Sequence, residues 1–301
     1  MSDIAVGDPE LLDEAFSDVD SLFDEPTAID DAALGLGYVR SNLASYVEPP
    51  RPKELRPARR MAPPIPGLYF DPYTLLPDEL AETLMQKCID AYFRNEHVDQ
   101  VMLFERVITQ SITGEGQDEE TRYPASSRLP SFLTDLLYTL ANTLRPVLPV
   151  EVHELLFPPA GSLPQARQVI INLYRPGEGI TPHVDLLDRF GDGIIGVSLG
   201  SGCAMQFAKP ASYPGSTVTK IDEDEKYAVF LPHGSVYVMS EEARYGWTHG
   251  IERRKEDWVQ DRIGSERGRW VMRSVRVSIT FRWLLPGADV VGGSADPVAR
   301  Y

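Results

Sequence analysis

Forty residues, Gln168 to Phe207, carry three strand signals separated by glycine-containing turns. The first runs from Gln168 to Tyr174, with β-branched Val169, Ile170 and Ile171 at its centre. Arg175-Pro176-Gly177-Glu178-Gly179 breaks it, because proline fixes φ and glycine supplies positive φ. Ile194 to Leu199 is the second signal, and a turn at Gly200 to Gly202 leads into the third, Ala204 to Phe207. Between the first two lies Pro182-His183-Val184-Asp185, at the end of a short extended run. Residues two apart in an extended chain point to the same face. His183 and Asp185 therefore project together, one imidazole and one carboxylate. Those are two of the three ligands of the 2-His-1-carboxylate set that holds non-haem Fe(II).

Helix signals precede this stretch and strand signals follow it. Leu75-Leu76-Pro77-Asp78-Glu79 reads as a helix start, with proline in the first turn and acids near the positive end of the dipole. Leu80, Leu84, Cys88, Ala91 and Tyr92 continue at helical spacing. Val101 to Thr109 predicts a strand, 110–128 an exposed loop, and Pro130 to Leu148 a second helix. Tyr227 to Leu231 and Val236 to Met239 predict further strands. A charged insertion, Glu252 to Arg269, then separates them from a last strand, Trp270 to Leu285. That order argues for an α+β or mainly β fold, a double-sheet core with N-terminal supporting helices, rather than alternating βαβ units.

Charge divides the chain. Its formal net charge is −16, yet residues 1–31 hold 11 Asp or Glu and no Lys or Arg. Residues 48–66 reverse the sign, with Arg51, Lys53, Arg56, Arg59 and Arg60 among seven prolines. Neither piece carries enough apolar surface to offset the entropy of ordering. Residues 1–62 are therefore expected to be a disordered acidic arm and a Pro/Arg linker, and 63–301 the folded domain. Leu11-Leu12 and Leu22-Phe23 would serve as anchors if the arm binds a protein partner. No run approaches the roughly 18 apolar residues of a membrane helix, so no membrane partner is expected. The acidic start lacks the features of a secretory signal, and Cys88 and Cys203 fit no zinc or disulfide spacing. A cytoplasmic or nuclear location follows as the expectation.

His249 lies 66 residues after His183, between Thr248 and Gly250. Any one of the five histidines taken alone is more often an ordinary surface or core residue than a ligand. The final strand adds weight. Arg276, Ser278, Thr280 and Arg282 alternate with Val277, Ile279 and Phe281. If both faces are covered, two arginines point inward and need partners, since an unpaired buried charge is very costly. A dicarboxylate would meet that need, because the guanidinium fork matches a carboxylate. The alternative is a strand with one wet face. A zinc hydrolase would use the metal ligands but not the arginines.

In order, the chain contains Asn172-Leu173-Tyr174, Pro176-Gly177-x-Gly179-Ile180, His183-x-Asp185, Ser198-Leu199-Gly200, Arg244-Tyr245-x-Trp247-x-His249-Gly250-Ile251 and Arg276-x5-Arg282. This ordered set resembles the AlkB-type Fe(II)/2-oxoglutarate dioxygenases over residues 98–285, and most of all the eukaryotic branch related to the transfer-RNA-modifying homologue. The resemblance implies a double-stranded β-helix (jelly-roll) core and the use of Fe(II), 2-oxoglutarate and O2. It implies that His183, Asp185 and His249 bind iron. It also implies that Arg276 takes the distal carboxylate of 2-oxoglutarate, helped by Tyr174 and Ser278. Asn172 and Arg282 would sit near the keto-acid end and the substrate. The chemistry so implied is hydroxylation of a C–H bond, which on an N-methyl group releases formaldehyde. Two positions depart from the pattern. Leu187 stands where bacterial members have an acid that reads the damaged base, and Met239 stands near the position of a base-stacking aromatic.

Methylated nucleic acid, RNA before DNA, is the substrate the resemblance favours. The acidic balance and the two departures favour a protein side chain instead. A non-catalytic interaction protein is the third reading, set against the presence of every expected metal and cosubstrate residue.

Overall fold

The computed structural model describes residues 56–105, 129–159, 162, 165–210 and 226–288. Two of its helices obey the spacing of their leucines. Helix α1 (Asp78–Tyr92) buries Ala81, Leu84 and Cys88. Helix α2 (Ser131–Leu144) buries Leu133, Leu136, Leu137, Leu140 and Leu144. Pro77 and Pro130 stand immediately before them, where a missing N–H costs nothing. The expected second helix was to continue to Leu148, but it stops at Leu144. Pro146 and Pro149 interrupt it, and α3 (Val150–Leu156) starts afresh after Pro149.

Ten of the twelve strands form two antiparallel sheets. The larger has the order β1-β8-β5-β12-β3-β2, from β1 (Leu68–Leu75), β8 (Ser235–Met239), β5 (Phe190–Gly200), β12 (Arg276–Leu284), β3 (Arg167–Tyr174) and β2 (Gln100–Glu105). The smaller has the order β4-β9-β6-β7, from β4 (Ile180–His183), β9 (Thr248–Ile251), β6 (Cys203–Ala208) and β7 (Lys226–Leu231). Together they are the double-stranded β-helix that the sequence led us to expect.

Strand β12 sits between β3 and β5, so its register fixes the faces of the large sheet. Val277, Ile279 and Phe281 join Val169, Ile171, Val197 and Leu199 in one core with the three helices. The opposite face looks toward the small sheet, where Ile194, Tyr237 and Met239 pack on Met205, Phe207, Val229 and Leu231. Both faces are therefore covered, and the wet-face alternative does not hold. Arg276 is 3% exposed.

Four segments differ from the sequence expectation. The ordered chain begins before residue 63. Ala58 is buried and bonds backbone to backbone with Trp258 and Gln260, while Arg59 bonds with Ala228 and Phe230. Apolar contact with Phe230 and Val259 outweighs the proline content there. The insertion is a hairpin of β10 (Glu256–Gln260) and β11 (Gly268–Met272). The last strand is split, because Arg273 turns aside to grip Asp257 with two bonds of 2.7 Å. A short helix, α4 (Glu241–Tyr245), precedes β9. Residues 1–55, 106–109 and the 110–128 loop lie outside the described residues.

Replacing a fully buried leucine of α2 removes packing that the sheet cannot re-supply. Leu140→Ala should lower unfolding free energy by about 2–5 kcal/mol. Tyr138→Ala on the exposed face should change it by roughly 0.5 kcal/mol or less. Urea titrations of both variants provide the comparison.

Candidate metal and cosubstrate site

The site is built where β4 and β9 pair, with His183 directly opposite His249. Their ring centroids are 4.5 Å apart. Asp185 follows β4 by two residues and turns the same way, as extended parity requires. One ligand atom from each of the three residues lies within 4.8 Å of the other two. The Asp185 Oδ2 to His249 Nε2 edge is 3.6 Å. An octahedron with bonds of about 2.1 Å has edges of about 3 Å, so a cation would draw these lone pairs slightly closer. The His183 Nδ1–H donates to the Thr181 carbonyl at 2.9 Å. That bond leaves Nε2 as the lone-pair nitrogen. Burial pushes the His249 imidazole down to about 3, against the opposing pull of Asp185. It is therefore neutral, as a ligand must be.

Two arginines of β12 reach into the same interior. Arg282 Nη1 donates to Asp185 Oδ1 at 2.9 Å. Asp185 Oδ2 has no hydrogen-bond donor among the described residues. The carboxylate is thus divided, one oxygen for the guanidinium and one toward the histidines. Arg276 Nε donates to Ser198 Oγ at 2.9 Å, and its guanidinium lies 5.1 Å from the Tyr174 ring centre. Tyr174 also shares side-chain hydrogen bonds with Arg276 and Ser278. Arg276 Nη1 and Arg282 Nε are buried without acceptors among the described residues. Asn172 lies opposite Ser278 on β12, and its carbonyl accepts from Gln100 Nε2 at 2.7 Å. Arg276, Tyr174 and Ser278 thus meet, while Arg282 is engaged by the Asp185 carboxylate.

Two residues that the sequence did not single out complete the site. Arg244 is 1% exposed. Its guanidinium donates to the carbonyls of Asp185, Leu186, Phe190 and Gly191, so it clamps the whole loop that carries the Asp185 carboxylate. Tyr237 lies flat across Gly196, where any Cβ would fall 2.1 Å from its ring. Burial raises its phenol pKa, and the charges of Arg276, Asp185 and Arg282 all act on it. The Arg244-Tyr245-x-Trp247 string contained the clamp. Nothing in periodicity marked Tyr237, since the cue is a glycine on a different strand. Leu186 and Leu187, which directly follow Asp185, are exposed, and so is Tyr245. Met239 is buried in the core and stacks on nothing outside it.

No ion or small molecule is needed to recognise what fits. An orphaned carboxylate oxygen faces a neutral imidazole, and two guanidinium groups are short of acceptors. A divalent cation suits the first and a dianion the second.

The sequence profile of the 2OG-Fe(II) oxygenase superfamily matches residues 74–282. An uncharacterized protein of Acanthamoeba polyphaga mimivirus is 41% identical over 115 residues, 38% of this chain and 47% of that protein. The tRNA (carboxymethyluridine(34)-5-O)-methyltransferase alkbh8 of Xenopus tropicalis is 41% identical over 124 residues, 38% of this chain and 18% of that one. The N6-methyladenosine RNA demethylase ALKB1 of Pyricularia oryzae is 26% identical over 133 residues, 39% of this chain and 36% of that one. The matched region thus spans about half of the viral protein and less than half of the other two.

Arg244→Lys retains a charge but cannot reach four carbonyls. It should lower stability by about 2–4 kcal/mol and weaken Mn(II) binding roughly 10- to 100-fold, read by thermal unfolding and by metal titration. The neutral His249 sets a second expectation. Its folded pKa is below the unfolded 6.5, so the unfolded chain takes up the proton first. Metal-free protein should lose stability as pH falls from about 6.5 to 5, and His249→Gln should flatten that part of the curve.

Proposed function

The chain belongs to the 2OG-Fe(II) oxygenase superfamily as an AlkB-type dioxygenase using Fe(II), 2-oxoglutarate and O2, and on that premise we propose that it oxidatively demethylates N-methylated nucleic acid, RNA in preference to DNA. The observation that carries this reading is the loop that leaves the site. Exposed Leu186 and Leu187 directly follow buried Asp185, and Arg244, which holds the Leu186 carbonyl, lies against the ring of exposed Tyr245. Exposed apolar and aromatic side chains of that kind suit a flat, unstacked base. The printed names of two relatives, one a tRNA methyltransferase and one an RNA demethylase, point to the same substrate class. The formal charge of −16 keeps one second reading alive, a protein side chain.

Iron with 2-oxoglutarate and O2 supplies the oxidising chemistry, in which the keto acid leaves as succinate and CO2 while a substrate C–H becomes C–OH. His183, Asp185 and His249 would hold the ion. Arg282 occupies Asp185 Oδ1, so the carboxylate offers a single oxygen and positions for other ligands stay open. Arg276 takes the distal carboxylate of 2-oxoglutarate, with Tyr174 and Ser278 beside it. Asn172, held by Gln100, borders the keto-acid end. Tyr237 closes the floor and keeps water from the arginines. A hydroxylated N-methyl group then loses formaldehyde and leaves the free amine.

The decisive assay measures formaldehyde from panels of N-methylated RNA, DNA and peptides. Release from RNA above DNA and peptides is the expected result, and release from peptides alone would defeat the proposal. Arg276→Lys keeps the charge but loses the fork. It should weaken 2-oxoglutarate binding roughly 10- to 100-fold with Mn(II) affinity nearly unchanged. Equal 2-oxoglutarate affinities, titrated anaerobically, would remove Arg276 from its role.

A further inference from the structure

The row of side chains that starts at His183 runs on past His249. His183 pairs with His249, His249 with Phe207, and Phe207 with Tyr227, each directly across a strand. Directly opposed residues of neighbouring strands share a face, so Tyr227 stands on the face that carries the two histidines. Strands lie about 4.8 Å apart, which sets Tyr227 roughly 10 Å from His249 along the row. Phe207 between them is buried, whereas Tyr227 is half-buried. Arg59 bridges Val229, two residues on from Tyr227, and so extends the same face beyond β7.

The Tyr227 ring sits among aromatic and positive groups. Trp247, two residues before His249, packs with Phe207 between the sheets, and its ring centre lies 5.8 Å from that of Tyr227. The Arg59 guanidinium is 5.6 Å from the Tyr227 ring centre, and the Lys209 ammonium is 5.9 Å from that of Trp247. Lys209 meets Glu242 at 3.8 Å, a partly exposed pair of the kind that holds weakly. Trp247 is 5% exposed, and its Nε1–H has no acceptor among the described residues. A buried donor without a partner calls for an explanation, and a ligand with acceptor oxygens supplies one. The cluster also discriminates. Methylated lysine and arginine side chains are cations, which Arg59 and Lys209 repel. A nucleotide brings a flat ring and a negative phosphate, and aromatic rings beside two cations suit both.

We propose that Tyr227, Arg59 and Lys209 form a shelf for the nucleotide that flanks the methylated one, with its base on the Tyr227 ring and its phosphate on the two cations. This rests on the reading of the substrate as nucleic acid. Tyr227 is too far along the row to carry the base whose methyl group meets the ion, and near enough for the neighbour of that base. The shelf is sequence-tolerant, because every base presents a π-face. A methylated oligonucleotide therefore binds better than the methylated nucleoside alone.

The test uses the full chain loaded with Mn(II) and 2-oxoglutarate, with a fluorescent hexaadenylate as the probe. Tyr227→Ala should weaken hexaadenylate binding about tenfold, as loss of one stacked base does. Tyr227→Phe keeps the ring and should bind as the wild type does. Arg59→Gln combined with Lys209→Gln should lower the slope of log affinity against log salt by about 1.4. Mn(II) and 2-oxoglutarate affinities, titrated on every variant, should match those of the wild type. Variants that keep wild-type hexaadenylate affinity and salt slope overturn the shelf and leave the nucleic-acid reading intact. A Tyr227→Ala loss shared by Mn(II) and 2-oxoglutarate makes the ring structural and also overturns it. A wild type that binds neither hexaadenylate nor its deoxy counterpart overturns the nucleic-acid reading together with the shelf.

Discussion

Asp185 and Arg282 meet at 2.9 Å in the interior, with side chains 3% and 12% exposed. Burying such a pair costs several kcal/mol per ion before their attraction is counted. The arrangement returns little to stability, because Asp185 Oδ2 and Arg282 Nε are left without hydrogen bonds among the described residues. It does fix the Asp185 carboxylate, which comes from the loop after β4, against the central strand of the other sheet. Asp185 cancels Arg282, His249 is neutral, and Arg276 remains as an uncompensated positive charge. A dianion alone overcompensates that charge, and a divalent cation alone adds to it. Bound together, cation and dianion leave the interior charge where it started. The interior electrostatics therefore favour joint occupancy of the two sites.

Much of this was legible because β12 obeys parity so strictly. Its alternation separated Arg276 and Arg282 from Val277 and Phe281, and the sheet does place one set inward and the other against the helices. The H-x-D pair was legible for the same reason. What parity could not supply was whether the arginine face is wet or covered. That depends on β4, β6, β7 and β9, strands whose position is set by register and not by local pattern.

The features that escaped the sequence share one cause: each depends on a partner distant in the chain. Arg244 stands in the sequence only as part of the Arg244-Tyr245-x-Trp247 string, yet its four acceptors lie 53 to 59 residues earlier. Tyr237 reads as one more strand aromatic, yet its ring needs Gly196 on the neighbouring strand. Ala58 and Arg59 read as linker, yet their backbone groups bond to β10 and β7. Composition weighs a segment by its own apolar content, and it misses a short stretch that borrows the apolar surface of Phe230 and Val259.

The hairpin shows how the two faces of one element divide its packing. The chain must pass from His249 on the small sheet to Arg276 on the large one, and β10–β11 occupies that passage. Its inward residues have clear duties. Val259 and Val271 pack around Ala204 and Phe230, and Asp257 accepts from the Ala204 N–H while Arg254 and Arg273 flank it. Burial alone would raise the Asp257 pKa, but the Arg273 fork holds it below the usual carboxylate range. That grip also fixes Arg273, three residues before Arg276, so the excursion braces the start of β12. Trp258, Trp270 and Met272 take no part in this seal, because alternation along a strand gives the two faces independent tasks. On that face the two indoles pack on each other across the strands, with ring centroids 5.2 Å apart.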